Sequence, residues 1–84
     1  MASEITIRVD IQSHVTPSLP YSVWTVGVTD NPTRRRGEHG NPNVWYQWNA
    51  DTEQIARNVE AYFIAKGMNG GPGGAGRANY VYIF

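Results

Sequence analysis

The chain has 84 residues, with seven basic and seven acidic side chains and a formal net charge of zero. A chain of this length forms one domain around one compact core. Its balanced charge argues against a strongly basic nucleic-acid binder and against a polybasic membrane binder. It has no cysteine, which excludes a disulfide framework and a thiolate zinc site. The first residues show no charged segment followed by an apolar run, so we expect no signal peptide, no membrane span and a cytoplasmic location.

Two segments in the first third of the chain have the composition of β-strands. In the first, apolar side chains occupy every second position: Ile5, Ile7, Val9 and Ile11. A period of two predicts a half-buried strand. Ser13 to Pro20 contains two prolines and predicts a loop. Tyr21 to Thr29 follows as a second strand, because β-branched and aromatic residues are frequent there.

A short basic helix is expected next. It runs from about Pro32 to His39, because Asn31 can cap it and proline suits the first helical position. Gly40 is a reasonable end. Its arginines, Arg34, Arg35 and Arg36, form the one basic cluster of the sequence.

A longer helix is predicted from about Thr52 to Lys66, after an irregular aromatic segment from Asn41 to Asn49. Asp51 is the expected N-cap, Gln54 occupies the capping-box position, and Gly67 is the residue after the C-cap. The helical period predicts a core stripe made of four side chains: Ile55, Val59, Tyr62 and Phe63.

The last third of the chain predicts a glycine-rich loop and a strand. Asn69 to Gly76 contains five glycines and a proline, which excludes a helix or a central strand. Tyr80 to Phe84 is a strand by composition. The predicted order is therefore strand, strand, helix, helix, strand, and a small sheet with helices packed on it is the economical α+β solution.

Four residues are spaced in a way that points to a known family. Gly27 lies near the end of the second predicted strand, in Thr25-Val26-Gly27. Arg35 lies eight residues beyond it, and His39 follows one helical turn later. Glu60 lies on the long helix and has an apolar residue four positions on. This pattern resembles the GIY-YIG nuclease superfamily. The resemblance implies one domain over residues 1–84, with a three-stranded antiparallel sheet flanked by helices in the order β-β-α-α-β.

The resemblance also implies a function, a metal and a set of site residues. It implies a nucleic-acid-binding domain with metal-dependent phosphodiester cleavage, in which Arg35 steadies the scissile phosphate and Glu60 holds a divalent ion such as Mg²⁺. A bidentate arginine suits the charge that develops on phosphate oxygens, and a metal held by a carboxylate can bind the leaving oxygen. His39 or a tyrosine, Tyr21 first, would assist proton transfer. Four further residues are expected to contact nucleic acid, with DNA favoured over RNA: Arg34, Arg36, Trp45 and Asn69.

The tyrosines of the family are not in their usual places. The first predicted strand has none, and Thr25 stands where the second motif has one. Tyr80 or Tyr82 is therefore an alternative to Tyr21 as the residue that takes the place of the family's tyrosine in the folded protein. We expect a monomer. The departure favours a second hypothesis, a descendant that binds a protein or nucleic acid without cleaving it. A third hypothesis, favoured by the net charge of zero, is that the fold is coincidental and that the chain is a small accessory protein with a protein partner. The last hypothesis predicts an exposed apolar patch around Trp45 and Trp48.

Each candidate also has an ordinary structural interpretation. The arginines can form a solvated helix face, since charge runs usually lie on the surface. His39 suits the carboxyl end of a helix, where a cation interacts favourably with the dipole. Glu60 lies three residues from Arg57 and can pair with it.

Overall fold

The fold is an α+β domain, as the sequence predicts. The structure is a computed structural model that describes residues 1–15, 20–70 and 78–84. In chain order its elements are α1 (Glu4–His14), a 3₁₀ turn (Tyr21–Val23), β1 (Thr25–Thr29), α2 (Pro32–Glu38), β2 (Tyr46–Asn49), α3 (Glu53–Ala65), β3 (Asn69–Gly70) and β4 (Tyr80–Ile83). None of the described helices is long and apolar enough to cross a membrane.

The sheet differs from the predicted one in strand number and direction. It has four strands in the order β2-β4-β1-β3. β4 runs antiparallel to both β1 and β2, whereas β3 runs parallel to β1. The prediction of three antiparallel strands in the order β-β-α-α-β is therefore wrong in these details, because β2 and β3 are short and carry little sequence signal.

The alternation of side chains along β1 and β4 divides the sheet into a core face and an outer face. Val26 and Val28 of β1 belong to the buried core, as do Val81 and Ile83 of β4. The helices α1 and α3 cover this face with five fully buried side chains: Ile7, Ile11, Ala56, Val59 and Phe63. On the outer face Gly27 is paired with Tyr82.

The segment predicted as the first strand is the helix α1. Ser3 caps it, since the Ser3 hydroxyl accepts a hydrogen bond from the Thr6 amide at 3.2 Å. Ile7 and Ile11 are four residues apart and lie on one helical face, both fully buried. Ile5 and Val9 are 71% and 57% exposed. An alternating apolar pattern contains such a pair at i and i+4, so it cannot by itself exclude a helix.

The predictions for the two loops were also incomplete. α1 continues through Ser13 to His14, and residues 16–19 of the predicted loop lie outside the described residues. Tyr21–Val23 forms a 3₁₀ turn instead of the start of a strand. β2 lies within the segment predicted as irregular, and β3 occupies the first two residues of the predicted glycine loop. Residues 71–76 of that loop lie outside the described residues.

The helices α2 and α3 and the strand β4 are confirmed. The Asn31 side chain accepts a hydrogen bond from the Arg34 amide at 3.0 Å, and Pro32 opens α2 as predicted. α3 is capped by Thr52 instead of Asp51, which also removes Gln54 from the capping-box position. Gly67 follows the C-cap with a φ of 115°, in the left-handed region that favours glycine.

The core stripe of α3 is largely as predicted. Val59 and Phe63 are fully buried, and Ile55 and Tyr62 are partly buried against the core. Ala56 is also buried, although it was not part of the predicted stripe.

Candidate functional site

Tyr82 forms the centre of the outer face because Gly27 leaves room for its ring. The two residues are direct cross-strand partners on β1 and β4. A Cβ atom at Gly27 would collide with the hydroxyl and ring of Tyr82. The missing side chain thus lets the Tyr82 ring lie across β1, and it brings the hydroxyl to α2.

Arg35 and His39 of the α2 region converge on that hydroxyl. The Arg35 Nε donates to the Tyr82 oxygen at 3.4 Å, and His39 Nε2 lies 3.0 Å from the same oxygen. Arginine has no acceptor, so the hydroxyl proton of Tyr82 is left to donate to His39 Nε2. This assignment requires a neutral His39 with its own proton on Nδ1.

The charges around the hydroxyl favour the same protonation states. Burial, and then the nearby Arg35 cation, hold the pKa of His39 below its ordinary value, against a smaller opposing effect of Glu38. The hydrogen bond from Arg35 to Glu38, at 2.8 Å, raises the pKa of the guanidinium and lowers that of the carboxyl. The cluster therefore holds a fixed cation beside a neutral imidazole.

A stack of aromatic rings covers the cluster. The Trp45 ring lies 4.6 Å from the Tyr82 ring with an angle of 9° between their planes, and 5.5 Å from Phe84 with an angle of 16°. Gln47 fixes the indole by accepting from its Nε1 at 2.9 Å. Tyr82 is consequently fully buried, so a ligand at the surface meets Arg35 and Trp45 before it reaches the tyrosine hydroxyl.

The other two arginines of α2 lie beside this cluster and already have partners. Arg34 is exposed and pairs with Asp30 at 2.9 Å. Arg36 donates from Nη2 to the Pro42 carbonyl oxygen at 3.0 Å, and its buried Nε has no hydrogen-bond partner among the described residues. These contacts hold the loop before Trp45 against α2 and neutralise part of the positive charge.

Three of the residues chosen from the sequence lie elsewhere. Glu60 is on α3, the helix that covers the core face, whereas Arg35 and His39 contact the outer face. Tyr21 packs its ring against Phe63 at 6.1 Å. Asn69 lies on β3, where its amide nitrogen donates to the carbonyl oxygens of Ser22 and Trp24.

The surroundings of Glu60 do not fit a resident metal. Burial raises the pKa of this carboxyl, with Arg57 opposing the shift, so the protonated form is favoured more than in water. No group of three histidine, cysteine, aspartate or glutamate side chains that could hold an ion occurs among residues 1–15, 20–70 and 78–84.

An apolar groove opens next to the aromatic stack. It has a volume of about 210 Å³ and is lined by Val23, Trp24, Val44 and Phe84. Val23 and Val44 are 57% and 51% exposed, whereas Trp24 is buried. The exposed apolar side chains at this end of the sheet thus include Val23, Val44 and Tyr46, whereas Trp45 and Trp48 are both half-buried.

Sequence spacing brought out Arg35 and His39 but did not choose between Tyr82 and the other tyrosines. Tyr82 is 47 residues from Arg35 along the chain. Only the antiparallel pairing of β4 with β1 brings the two together. The feature that distinguishes Tyr82 from the other tyrosines is its pairing with Gly27 across the strands. That pairing is known only once the strand register is known.

Comparisons of this chain with protein-family models, with curated proteins and with solved structures find no match.

Proposed function

We propose that this chain is a nucleic-acid-binding domain that holds a phosphate group at α2 and does not cleave it. The observation that carries the proposal is the cluster of Arg35 and His39 around the Tyr82 hydroxyl. Tyr82 restrains the Arg35 guanidinium, whose side chain keeps 16% of its surface exposed, and its planar set of donors matches phosphate geometry. A kinship with the GIY-YIG superfamily is part of the proposal, and Tyr82 is its candidate for the tyrosine that the resemblance expects.

Two observations favour binding without cleavage. The Tyr82 hydroxyl is fully buried beneath Trp45, so it has no open path to a phosphorus atom. Glu60, the expected metal ligand, is on the helix behind the core face. Catalysis by these groups requires them to meet at one substrate, and the layers of the fold separate them.

Binding of a labelled oligonucleotide, measured by fluorescence anisotropy at several salt concentrations, tests the proposal. We expect Arg35→Ala to weaken binding and to reduce the slope of log affinity against log salt by about one, because one phosphate contact is lost. Arg57→Ala is the matched control. It removes an arginine that pairs with Glu53 at 2.9 Å, as Arg35 pairs with Glu38 at 2.8 Å, but it lies on α3.

Equal effects of the two substitutions would contradict a site at α2. Incubation with Mg²⁺ should give no cleavage products. Products that disappear in Glu60→Gln would restore the metal-dependent nuclease hypothesis.

A second candidate function is the binding of a protein partner. The exposed valines at the rim of the apolar groove favour it, because apolar side chains gathered at a surface depression often mark an interface. If no nucleic acid binds at low salt, the binding of a protein partner becomes the favoured function. A search for proteins that bind the folded domain would then test it.

A further inference from the structure

The apolar groove and the arginines of α2 belong to one continuous surface. Phe84 lines the groove, and its ring lies 4.6 Å from the His39 ring and 5.5 Å from the Trp45 ring. Val44, which also lines the groove, is two residues from Pro42, whose carbonyl oxygen accepts a hydrogen bond from Arg36. An anion at α2 is thus within the reach of a small molecule or polymer unit that also occupies the groove.

The size and lining of the groove select its occupant. Its volume of about 210 Å³ is below the range of about 300–1,000 Å³ that is usual for drug-sized ligands. It therefore has room for one small group instead of an extended segment. Its lining among the described residues carries no charged side chain, so we expect that group to be uncharged and to present apolar surface or a ring face.

We infer that this groove seats one unpaired nucleobase of a nucleic acid whose phosphate is held at α2. A nucleotide joins a flat, uncharged ring to an anionic group, and this combination matches the groove and the neighbouring arginines. Bases stack readily on aromatic side chains whatever their sequence. Phe84 provides such a ring in the groove, and the largely buried Trp24 adds apolar surface to its lining. The inference rests on the proposed function and makes it more specific, because it predicts that the preferred ligand is a single-stranded nucleic acid.

A paired base does not fit this arrangement. In a duplex both faces of a base are stacked and one edge is hydrogen-bonded, so it would have to leave the helix to enter the groove. That step has a free-energy cost, whereas a base in a single strand is already accessible. The groove thus distinguishes single strands from duplexes without reading a sequence.

The test compares three labelled probes of equal length: an oligothymidine, the same sugar-phosphate backbone without bases, and a duplex. We expect the folded protein to bind the oligothymidine at least about fivefold more tightly than the abasic strand, as one base–aromatic stack provides. The double variant Val23→Gln/Val44→Gln should remove this preference, because it places polar side chains in the groove without changing the charge. The matched control is Ile5→Gln/Val9→Gln, which alters two exposed apolar residues on α1.

The outcomes separate this inference from the proposed function. Equal affinity for the oligothymidine and the abasic strand would overturn the inference. A preference that survives in the groove variant, or tighter binding of the duplex, would also overturn it. In all three cases binding that is lost in Arg35→Ala would still support a phosphate site at α2. If none of the probes binds at low salt, both proposals fail.

Discussion

At the scale of single residues, Gly27 has the largest influence on the outer face. It allows the Tyr82 ring to cross β1, and the position of that ring decides where Arg35 and His39 find a partner. The same glycine belongs to the spacing on which the proposed family kinship rests. Its packing against Tyr82 accounts for a glycine at this position independently of that proposal.

Gly27→Ala should lower the free energy of unfolding by about 1–3 kcal/mol, since an added methyl group in a closely packed site forces neighbours out of position. The Cβ atom would meet the rigid ring of Tyr82 instead of a flexible chain end. Urea unfolding followed by circular dichroism measures the change.

Gly37→Ala is the control for this prediction, because a Cβ atom at Gly37 meets nothing within 4 Å. Gly37 lies inside α2, so alanine there should stabilise the protein by about 0.5–1 kcal/mol. Similar destabilisation by both substitutions would contradict the contact between Gly27 and Tyr82.

His39 should make the stability of the protein depend on pH. Burial and the Arg35 cation hold its pKa in the folded protein below the ordinary value of 6.5. The unfolded chain therefore binds the proton more readily, and the free energy of unfolding should fall as the pH drops through 6.5 and level off below the folded pKa. Protonated His39 cannot accept a hydrogen bond from the Tyr82 hydroxyl, and this loss also lowers the free energy of unfolding at low pH.

Urea unfolding at several pH values between 5 and 8, with wild type and His39→Gln compared, tests this dependence. The variant has no imidazole at this position, so the difference between the two curves isolates its titration. A wild-type stability that changes with pH no more than that of His39→Gln would exclude the proposed protonation state.

At the scale of elements, α1 shows how an apolar pattern can satisfy two periods. The alternation from Ile5 to Ile11 suits a strand, and the spacing of Ile7 and Ile11 suits a helix. The apolar pattern does not choose between them. The packing of α1 on α3 decides the outcome, and the Ser3 cap supports it.

The two interpretations of this segment predict different mutational costs. In the structure Ile7 is fully buried and Ile5 is 71% exposed. Ile7→Ala should therefore cost about 2–5 kcal/mol, whereas Ile5→Ala should change stability by less than about 0.5 kcal/mol. In a strand both side chains would lie on the same buried face, and the costs would be similar.

Urea unfolding of both variants makes the comparison. If Ile7→Ala does not fold, Ile7→Val replaces it, with an expected cost of about 0.5–1.5 kcal/mol. Equal and large losses for residues 5 and 7 would contradict the helix.

At the scale of the whole molecule, the sheet separates the hydrophobic core on one face from the candidate site around Tyr82 on the other. The helices α1 and α3 cover one face and supply the apolar core, while α2 and the aromatic stack lie on the other. Glu60 belongs to the first layer and Arg35 to the second. The linear spacing of the two residues suggested a shared site, but spacing along a chain carries no information about the side of a sheet.

In the folded molecule, acidic side chains lie next to the arginines of α2 and reduce the positive charge there. Arg34 pairs with Asp30 and Arg35 with Glu38, which leaves a small basic surface instead of a broad one. Recognition by such a surface depends on a few directed contacts. This is why the proposed ligand is a nucleotide unit with both a phosphate and a base.

The sequence by itself determined the α+β class, the helices α2 and α3, the final strand and the spacing that joins Arg35 to His39. These features depend on local physical causes, namely caps, helical periodicity and β-propensity within a few residues. The tertiary structure alone decided the helical state of residues 4–14, the addition of β2 and β3 to the sheet, the choice of Tyr82 among the tyrosines and the separation of Glu60 from Arg35. Each of these depends on contacts between residues far apart in the chain, because burial and strand register are set only when the layers pack together.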